Sequence, residues 1–520
     1  MENTVQGWIK TISLAPPTLQ NNTADADRLL SALKMHLATD QIELSLSLLR
    51  KLPDQIRKWK YMIRCILFKD RKRWILAGIT DPDDSSPVTG LAVDLGTTRV
   101  VIRLLDLVTG KSLGESSFDN PQIGIGPDIL TRIHFSDQNQ GLDKLNQMIT
   151  GALNTKITSL CRSCNTETQH IFLMAVAGNT AMTHLLLGLK PHFIIREPYI
   201  PVSNTPGVIR ASELGLEVNP DARVLVFPNV GSYFGGDLIA GILFSGLHRK
   251  EETSILVDVG TNAEVVLGNS NWLVCCAGAA GPALEGGVTK MGMMAGKGVI
   301  DKIAIDPSTG QFTVHTIENN PPIGICGSGL IDLAAQLFLS GMIDIRGKLM
   351  VSETGPRIRE IDGILHVTIV PAEKSATGSD LTISQTDLDS LSRSKAAMYT
   401  ILETITETVG IRLAELSTFY VAGTFGSFIN PSSAISIGML PDLPLDSYIV
   451  LGNSSLEGAA ISLTDRSRMD EITEIRDRIT YMELNVNQEF MNRFSAAKFF
   501  PHTDPSLFPS VQYPNRAKSF

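Results

Sequence analysis

The chain has 520 residues, 43% apolar and 19% charged, with a formal net charge of −9. That length predicts about two to four domains. The acidic surplus excludes nucleic acid as the main partner, because phosphate backbones select clustered Lys and Arg. No uninterrupted apolar run is long enough to suggest a membrane span.

Residues 1–80 predict a small α+β domain. Leu29, Leu30 and Leu33 recur at helical spacing within 25–35, and 44–56 repeats the pattern. Residues 61–68 read as a strand. The cations between Arg50 and Arg73 read as a solvated face. Thr80-Asp81-Pro82-Asp83-Asp84-Ser85-Ser86-Pro87 breaks all periodicity and places a linker over 81–90.

A first lobe is expected over 91–248. Residues 91–93, 100–105 and 112–119 are strand-like, with a hairpin turn at Val108-Thr109-Gly110. A helix is expected over 142–153 and a buried strand over 172–176. A second helix, 181–187, would be capped by Asn179 or Thr180. A third, 234–244, opens on Gly235-Gly236-Asp237.

A second lobe, 249–520, repeats the order. Strands are expected at 254–257, 263–267 and 272–275, with a turn at Gly268-Asn269-Ser270. Irregular hairpins fill 341–385, a long helix covers 388–409, and a strand over 419–422 ends at Gly423. Beyond 464 a charged amphipathic helix runs to the region of Tyr481, followed by a Pro-punctuated tail.

One motif occurs twice. Asp94-Leu95-Gly96-Thr97-Thr98 and Asp258-Val259-Gly260-Thr261-Asn262 each follow an apolar strand. A strand entering a glycine turn aims successive N–H groups outward, a nest that binds anions. Gly96 and Gly260 remove the Cβ that would block a phosphate, and Thr97, Thr98 and Thr261 add hydroxyl donors. Asp94 and Asp258 repel phosphate, so their use is to hold Mg²⁺ through its waters or to orient an attacking water. One copy alone is equally an Asp-capped β-turn. Two copies at repeat positions favour two lobes facing one phosphate chain. Gly423-Thr424-Phe425-Gly426 could let a base or ribose lie against the backbone, and Asn179 with Thr180 could line the cleft.

Together these turns and connectors resemble the actin-like ATPase superfamily. That implies an α/β fold with two lobes, each a copy of a ribonuclease H-like unit. A narrower resemblance rests on Asn120-Pro121-Gln122, on the segment 177–188 beginning Ala177-Gly178-Asn179-Thr180, and on Pro228-Asn229-Val230-Gly231. It also rests on Ala279-Ala280-Gly281-Pro282-Ala283-Leu284-Glu285-Gly286 and on Gly324-Ile325-Cys326-Gly327-Ser328-Gly329. Over residues 90–500, and more loosely in the N-terminal unit, the chain resembles the reductive activators of corrinoid-dependent proteins.

The resemblance implies an ATPase that restores a corrinoid (cobalamin-binding) methyltransferase protein by promoting reduction of its Co(II) to Co(I). ATP and Mg²⁺ are the implied cofactors. Asp94 and Asp258 would serve the metal and water, and Glu285 would polarise the attacking water. Gly96, Thr97, Thr98, Gly260, Thr261 and Asn262 would hold phosphates. Gly423, Thr424, Phe425 and Gly426 would hold adenosine, and Asn179, Thr180, Gly327 and Ser328 would be connector residues lining the cleft.

The sequence departs from the family in one respect. Many such activators carry a [2Fe–2S] domain, which needs four cysteines. Here residues 1–90 hold only Cys65. No iron–sulfur cluster is therefore expected, and a separate ferredoxin or flavoprotein is the expected electron donor; a homodimer is compatible with this reading. Six cysteines make no disulfide framework, so a cytoplasmic setting is expected. The Met1-Glu2-Asn3-Thr4 start shows no secretory signal. Cys161 and Cys164 read as loop residues, and His184 as a core residue. Cys276 and Cys326 read either as small buried residues or, by resemblance to dehydratase activators, as ligands of a subunit-bridging cluster. A small-molecule kinase of the same superfamily is the remaining alternative.

Overall fold

The computed structural model describes residues 7–260, 262–279, 289–306, 309–351, 357–423, 429–482 and 490–513. The chain divides into two units. The first comprises Met1–Gly246 with Ser454–Ile479, and the second Leu247–Asn453 with Thr480–Phe520. Residues 454–479, expected within a lobe spanning 249–520, therefore pack with the first unit.

The first unit opens with strands β1 Ile9–Ser13, β2 Ile42–Leu44, β3 Met62–Asp70 and β4 Arg73–Thr80 in the order β1-β3-β4-β2. Helices α1 Asp25–Leu37 and α2 Leu46–Lys58 lay Leu29, Leu33, Leu48, Leu52 and Ile56 on this sheet, all buried. Ser45 caps α2 by accepting the Leu48 N–H at 3.2 Å. The link to the next strand is shorter than expected, since strand pairing resumes at Thr89.

The larger sheet of this unit contains β5 Thr89–Leu95, β6 Arg99–Asp106, β7 Ser112–Asp119, β8 Ile171–Gly178, β9 Gly207–Arg210 and β10 Arg223–Val226. Its order is β7-β6-β5-β8-β10-β9. β5, β8 and β10 run parallel, and β5, β6 and β7 form an antiparallel meander. Leu91, Val93 and Leu95 point to one face and pack with Leu145, Ile149, Leu153 and Ile157 of α4, Gly141–Ser163. Ala92 and Asp94 alternate to the other face. Helix α3 spans Ile129–Ser136, α5 Thr180–Leu186 and α6 Gly236–Ser245. The helix Ser454–Thr464 crosses α6 so closely that a Cβ on Gly458 would strike the Ala240 backbone.

In the second unit, β11 Ser254–Val259, β12 Asn262–Gly268 and β13 Leu273–Ala279 form a meander. A three-stranded sheet follows, β14 Val299–Ile305, β15 Phe312–Thr316 and β16 Gly324–Ile325, and then the helix α7 Gly327–Leu339. The hairpins expected over 341–385 are β17 Ile358–Ile361, β18 Ile364–Val370 and β19 Leu381–Ser384. Helix α8, Gln385–Thr408, starts in a capping box of Ser384 and Asp387. β20 Thr418–Ala422, β21 Tyr448–Gly452 and β22 Ile479–Tyr481 complete the main sheet in the order β21-β20-β11-β12-β13-β22.

The two main sheets are copies. β7-β6-β5-β8-β10 and β13-β12-β11-β20-β21 share strand order, and their senses agree at every pairing. The duplicated actin-like α/β fold expected from the sequence is the fold observed.

Candidate functional site

Each copy places an aspartate at the same point. Asp94 is the penultimate residue of β5, in register with Ala177 of β8, and Leu95 pairs with Gly178. Asp258 is the penultimate residue of β11, in register with Ala422 of β20, and Gly423 follows directly. The Gly178 turn and the Gly423 turn are thus equivalent positions of the duplicated sheet. In an open sheet with parallel neighbours, ligands bind at the carboxyl ends of such strands.

In the first unit, Gly96 is required because a Cβ there would overlap the Arg99 carbonyl oxygen. Asn120 clamps the turn from below. Its N–H donates to the Thr98 carbonyl at 2.8 Å and its Nδ2 donates to the Gly96 carbonyl at 3.0 Å. These two hydrogen bonds tie the Gly96 and Thr98 carbonyls to one side chain and its backbone. Asn179 caps α5 by accepting the Met182 N–H at 2.9 Å, and its Nδ2 donates to Thr97 Oγ1 at 2.9 Å. Thr98 stays exposed. Thr180, by contrast, is buried and donates to the Gly231 carbonyl at 3.2 Å. Its hydroxyl pins a loop within the unit.

Ser455 is a site residue that sequence reasoning missed. Its Oγ donates to Asp94 Oδ1 at 2.9 Å from the first turn of the helix Ser454–Thr464. The available signal was weak, a Ser-Ser pair three residues before Gly458.

In the second unit, Gly423 has φ +87°, and a Cβ there would lie 2.6 Å from Asp258 Oδ1 and 2.8 Å from the Val259 carbonyl oxygen. Both the left-handed backbone and the close carboxylate demand glycine. A second carboxylate was also missed. Glu264 lies directly across from Asp258 in the β11–β12 register, on the same face of the sheet. Gly260 follows β11, and the Asn262 backbone opens β12. Thr261, Glu285, Thr424, Phe425 and Gly426 lie outside the described residues.

Gly327 and Ser328 begin α7, where Ser328 Oγ is 3.1 Å from Cys326 Sγ. A Cβ on the next residue, Gly329, would overlap the Ile300 carbonyl, so this glycine run seats α7 against β14. Cys326 donates to the same carbonyl at 3.3 Å. Cys275 and Cys276 are buried on β13, and burial pushes both thiols up. His184 is fully buried. Its Nδ1 is 2.7 Å from the Thr180 carbonyl, and its Nε2 accepts the Val202 N–H at 3.1 Å. Both ring nitrogens are used within the fold, and burial lowers its pKa.

In each unit a strand-end carboxylate stands beside a glycine turn, the kind of donor set that a phosphate with a hydrated cation requires. The first turn, held by Asn120 and Asn179, presents the exposed Thr98, with Asp94 at the end of the strand that enters it. Among the described residues no group of three or more His, Cys, Asp or Glu side chains is arranged to hold a metal directly. Mg²⁺ keeps several waters and takes one or two carboxylates, a donor set of the kind that Asp94 offers in the first unit and that Asp258 with Glu264 offers in the second.

Family models match nearly the whole chain. Residues 8–84 match the RACo linker region, 89–250 the RACo middle region, and 252–512 the C-terminal domain of RACo, the ASKHA domain. The corrinoid activation enzyme RamQ of Eubacterium limosum is 30% identical over 434 residues, covering 82% of this chain and 72% of that one. The Co(II) methylated amine-specific corrinoid protein reductase of Methanosarcina barkeri is 23% identical over 437 residues, covering 78% and 75%. A solved reductive activator for corrinoid,iron-sulfur protein superposes with a TM-score of 0.88 at 38% identity, over 98% of this chain and 82% of that one. The chain belongs to the RACo family.

Proposed function

We propose that the chain is an ATP-dependent activator of a corrinoid-binding methyltransferase protein. One electron, delivered by a separate ferredoxin or flavoprotein, converts the partner's Co(II) to Co(I), and ATP binding and hydrolysis with Mg²⁺ make that transfer feasible. The observation that carries this reading is the duplicated sheet, which sets an aspartate beside a glycine turn at the same register in each copy. It does so in a chain whose relatives are named for corrinoid activation.

Each residue has a definite task in this scheme. Asp94, oriented by Ser455, serves cation and water in the first unit, and Asp258 with Glu264 does so in the second. Gly96, Thr97 and Thr98, with Gly260, Thr261 and Asn262, hold phosphates. Gly423 to Gly426 take the adenosine, and Glu285 polarises the attacking water. Bound Mg²⁺ supplies charge neutralisation at the phosphates. The chain's own residues position phosphate, cation and water, which is most of what phosphoryl transfer requires.

The test is ATP hydrolysis by the purified full chain, with and without corrinoid methyltransferase proteins. A corrinoid protein should stimulate turnover, and Asp258→Ala should abolish it while leaving the circular dichroism spectrum unchanged. Phosphorylation of an added metabolite without stimulation by any corrinoid protein would make the chain a kinase. Turnover surviving in Asp258→Ala would remove the second turn from the mechanism.

A further inference from the structure

Behind the first glycine turn lies a buried cation to which no role has yet been given. Arg132, on α3, is fully buried. Its Nε donates to the Gly126 carbonyl at 2.9 Å, and its Nη1 donates to Gln122 Oε1 at 3.3 Å and contacts Met182 Sδ at 3.3 Å. Its Nη2 is buried and meets no acceptor. Arg132 forms no ion pair among the described residues, and every acceptor it contacts is neutral. Asp128, which caps α3 and faces solvent, acts on it only at longer range. Burial pulls the guanidinium down to about 10, which still leaves it charged at neutral pH. A buried charge without a counter-charge is strongly unfavourable, so this one calls for an anion.

The contacts around Arg132 lead to the phosphate turn by two routes. Gln122 donates its N–H to Asn120 Oδ1 at 3.0 Å, and Asn120 clamps the Gly96 and Thr98 carbonyls. Met182 donates its N–H to Asn179, whose Nδ2 holds Thr97 Oγ1. Asn120 Nδ2 also lies 3.8 Å from Met182 Sδ, which closes the network. The guanidinium therefore supports both the carbonyls beneath the turn and the hydroxyl at its rim.

We propose that Arg132 is a positioning residue for the first phosphate turn, and that the phosphates of a bound nucleotide supply the counter-charge its buried guanidinium lacks. The inference rests on the proposed nucleotide binding. It adds that this turn distinguishes ligands by phosphate charge through a cation they do not touch.

Calorimetric binding of ATP, ADP and adenosine to the full chain tests it. Arg132→Gln should weaken ATP roughly tenfold and ADP less, with adenosine nearly unchanged, because charge attraction scales with ligand charge. Arg132→Lys, which keeps the cation, should restore most of the preference for ATP over adenosine. Equal weakening of all three ligands, or none, overturns the proposal. If Arg132→Gln does not fold, Gln122→Glu decides. It sets a carboxylate beside the Nη1 that Gln122 Oε1 now meets at 3.3 Å. The counter-charge so supplied should lower the ATP-to-adenosine preference severalfold, whereas an unchanged preference overturns the proposal. Wild-type chain that binds no ATP would instead defeat the proposed function itself.

Discussion

At the scale of residues, the site is built from groups that hold other groups still. Asp94 accepts from Ser455, Thr97 from Asn179, and the Gly96 and Thr98 carbonyls from Asn120. Ser455 is the most direct test of this arrangement, because it alters orientation without altering charge. A hydrogen bond to a charged group contributes about 1.5–3 kcal/mol. Losing that much alignment in the transition state slows a reaction by roughly one to two orders of magnitude. Ser455→Ala should therefore lower ATP turnover about tenfold to a hundredfold with little change in nucleotide affinity. Steady-state kinetics separates the two. An unchanged kcat would mean that Asp94 is oriented without the helix Ser454–Thr464.

At the scale of elements, the parts legible in the sequence were those whose pattern is local. The strands leading to Asp94 and Asp258 showed as apolar runs ending in glycine, α8 showed as a long periodic helix, and α4 showed only over its first half, 142–153. The helix Ser454–Thr464 was not seen, because Gly458, Ala459 and Ala460 replace the apolar stripe that marks a one-sided helix. Helix α7 was missed for the opposite reason. It is buried almost all round and so has no polar face. β1 and β2 are short, and pairing across tens of residues leaves no local mark. Ser455 and Glu264 escaped notice on the same ground, since each meets its aspartate only through the fold. Gly458 shows how such a contact outweighs propensity. Gly to Ala inside a helix ordinarily gains about 1 kcal/mol. Here the new Cβ would strike the Ala240 backbone of α6, and overpacking costs about 1–3 kcal/mol. Gly458→Ala should therefore lower the urea midpoint, and a raised midpoint would show that the two helices have room to spare.

At the scale of the whole molecule, each unit closes its core with chain from far along the sequence. Ser454–Thr464 does this for the first unit, and the segment after residue 490 does it for the second. There Phe500 and Phe508 are buried, and Gly438 leaves the space that the Pro501 carbonyl occupies. The latch is Lys395 of α8. It is fully buried, donates to the Phe499 carbonyl and to the Pro501 carbonyl at 2.8 Å, and lies 5.0 Å from the Phe500 ring centre. None of these contacts among the described residues is a carboxylate, and burial pushes its pKa well below the ordinary lysine value. His502, beside it, is lowered by burial and by Lys395. A base whose pKa falls on folding binds more protons in the unfolded chain, so stability rises with pH between the folded and unfolded values. For His502 that gain is lost as pH falls through the ordinary histidine range. For Lys395 it accrues from the lowered folded value up to the ordinary lysine range. Lys395→Met removes the titrating group and keeps much of its volume. Urea unfolding of both proteins, from neutral pH into the lysine range, should show wild type gaining steadily on the variant. A difference that stays flat with pH would mean that Lys395 keeps its proton in the folded chain, held by the two carbonyls and the aromatic ring.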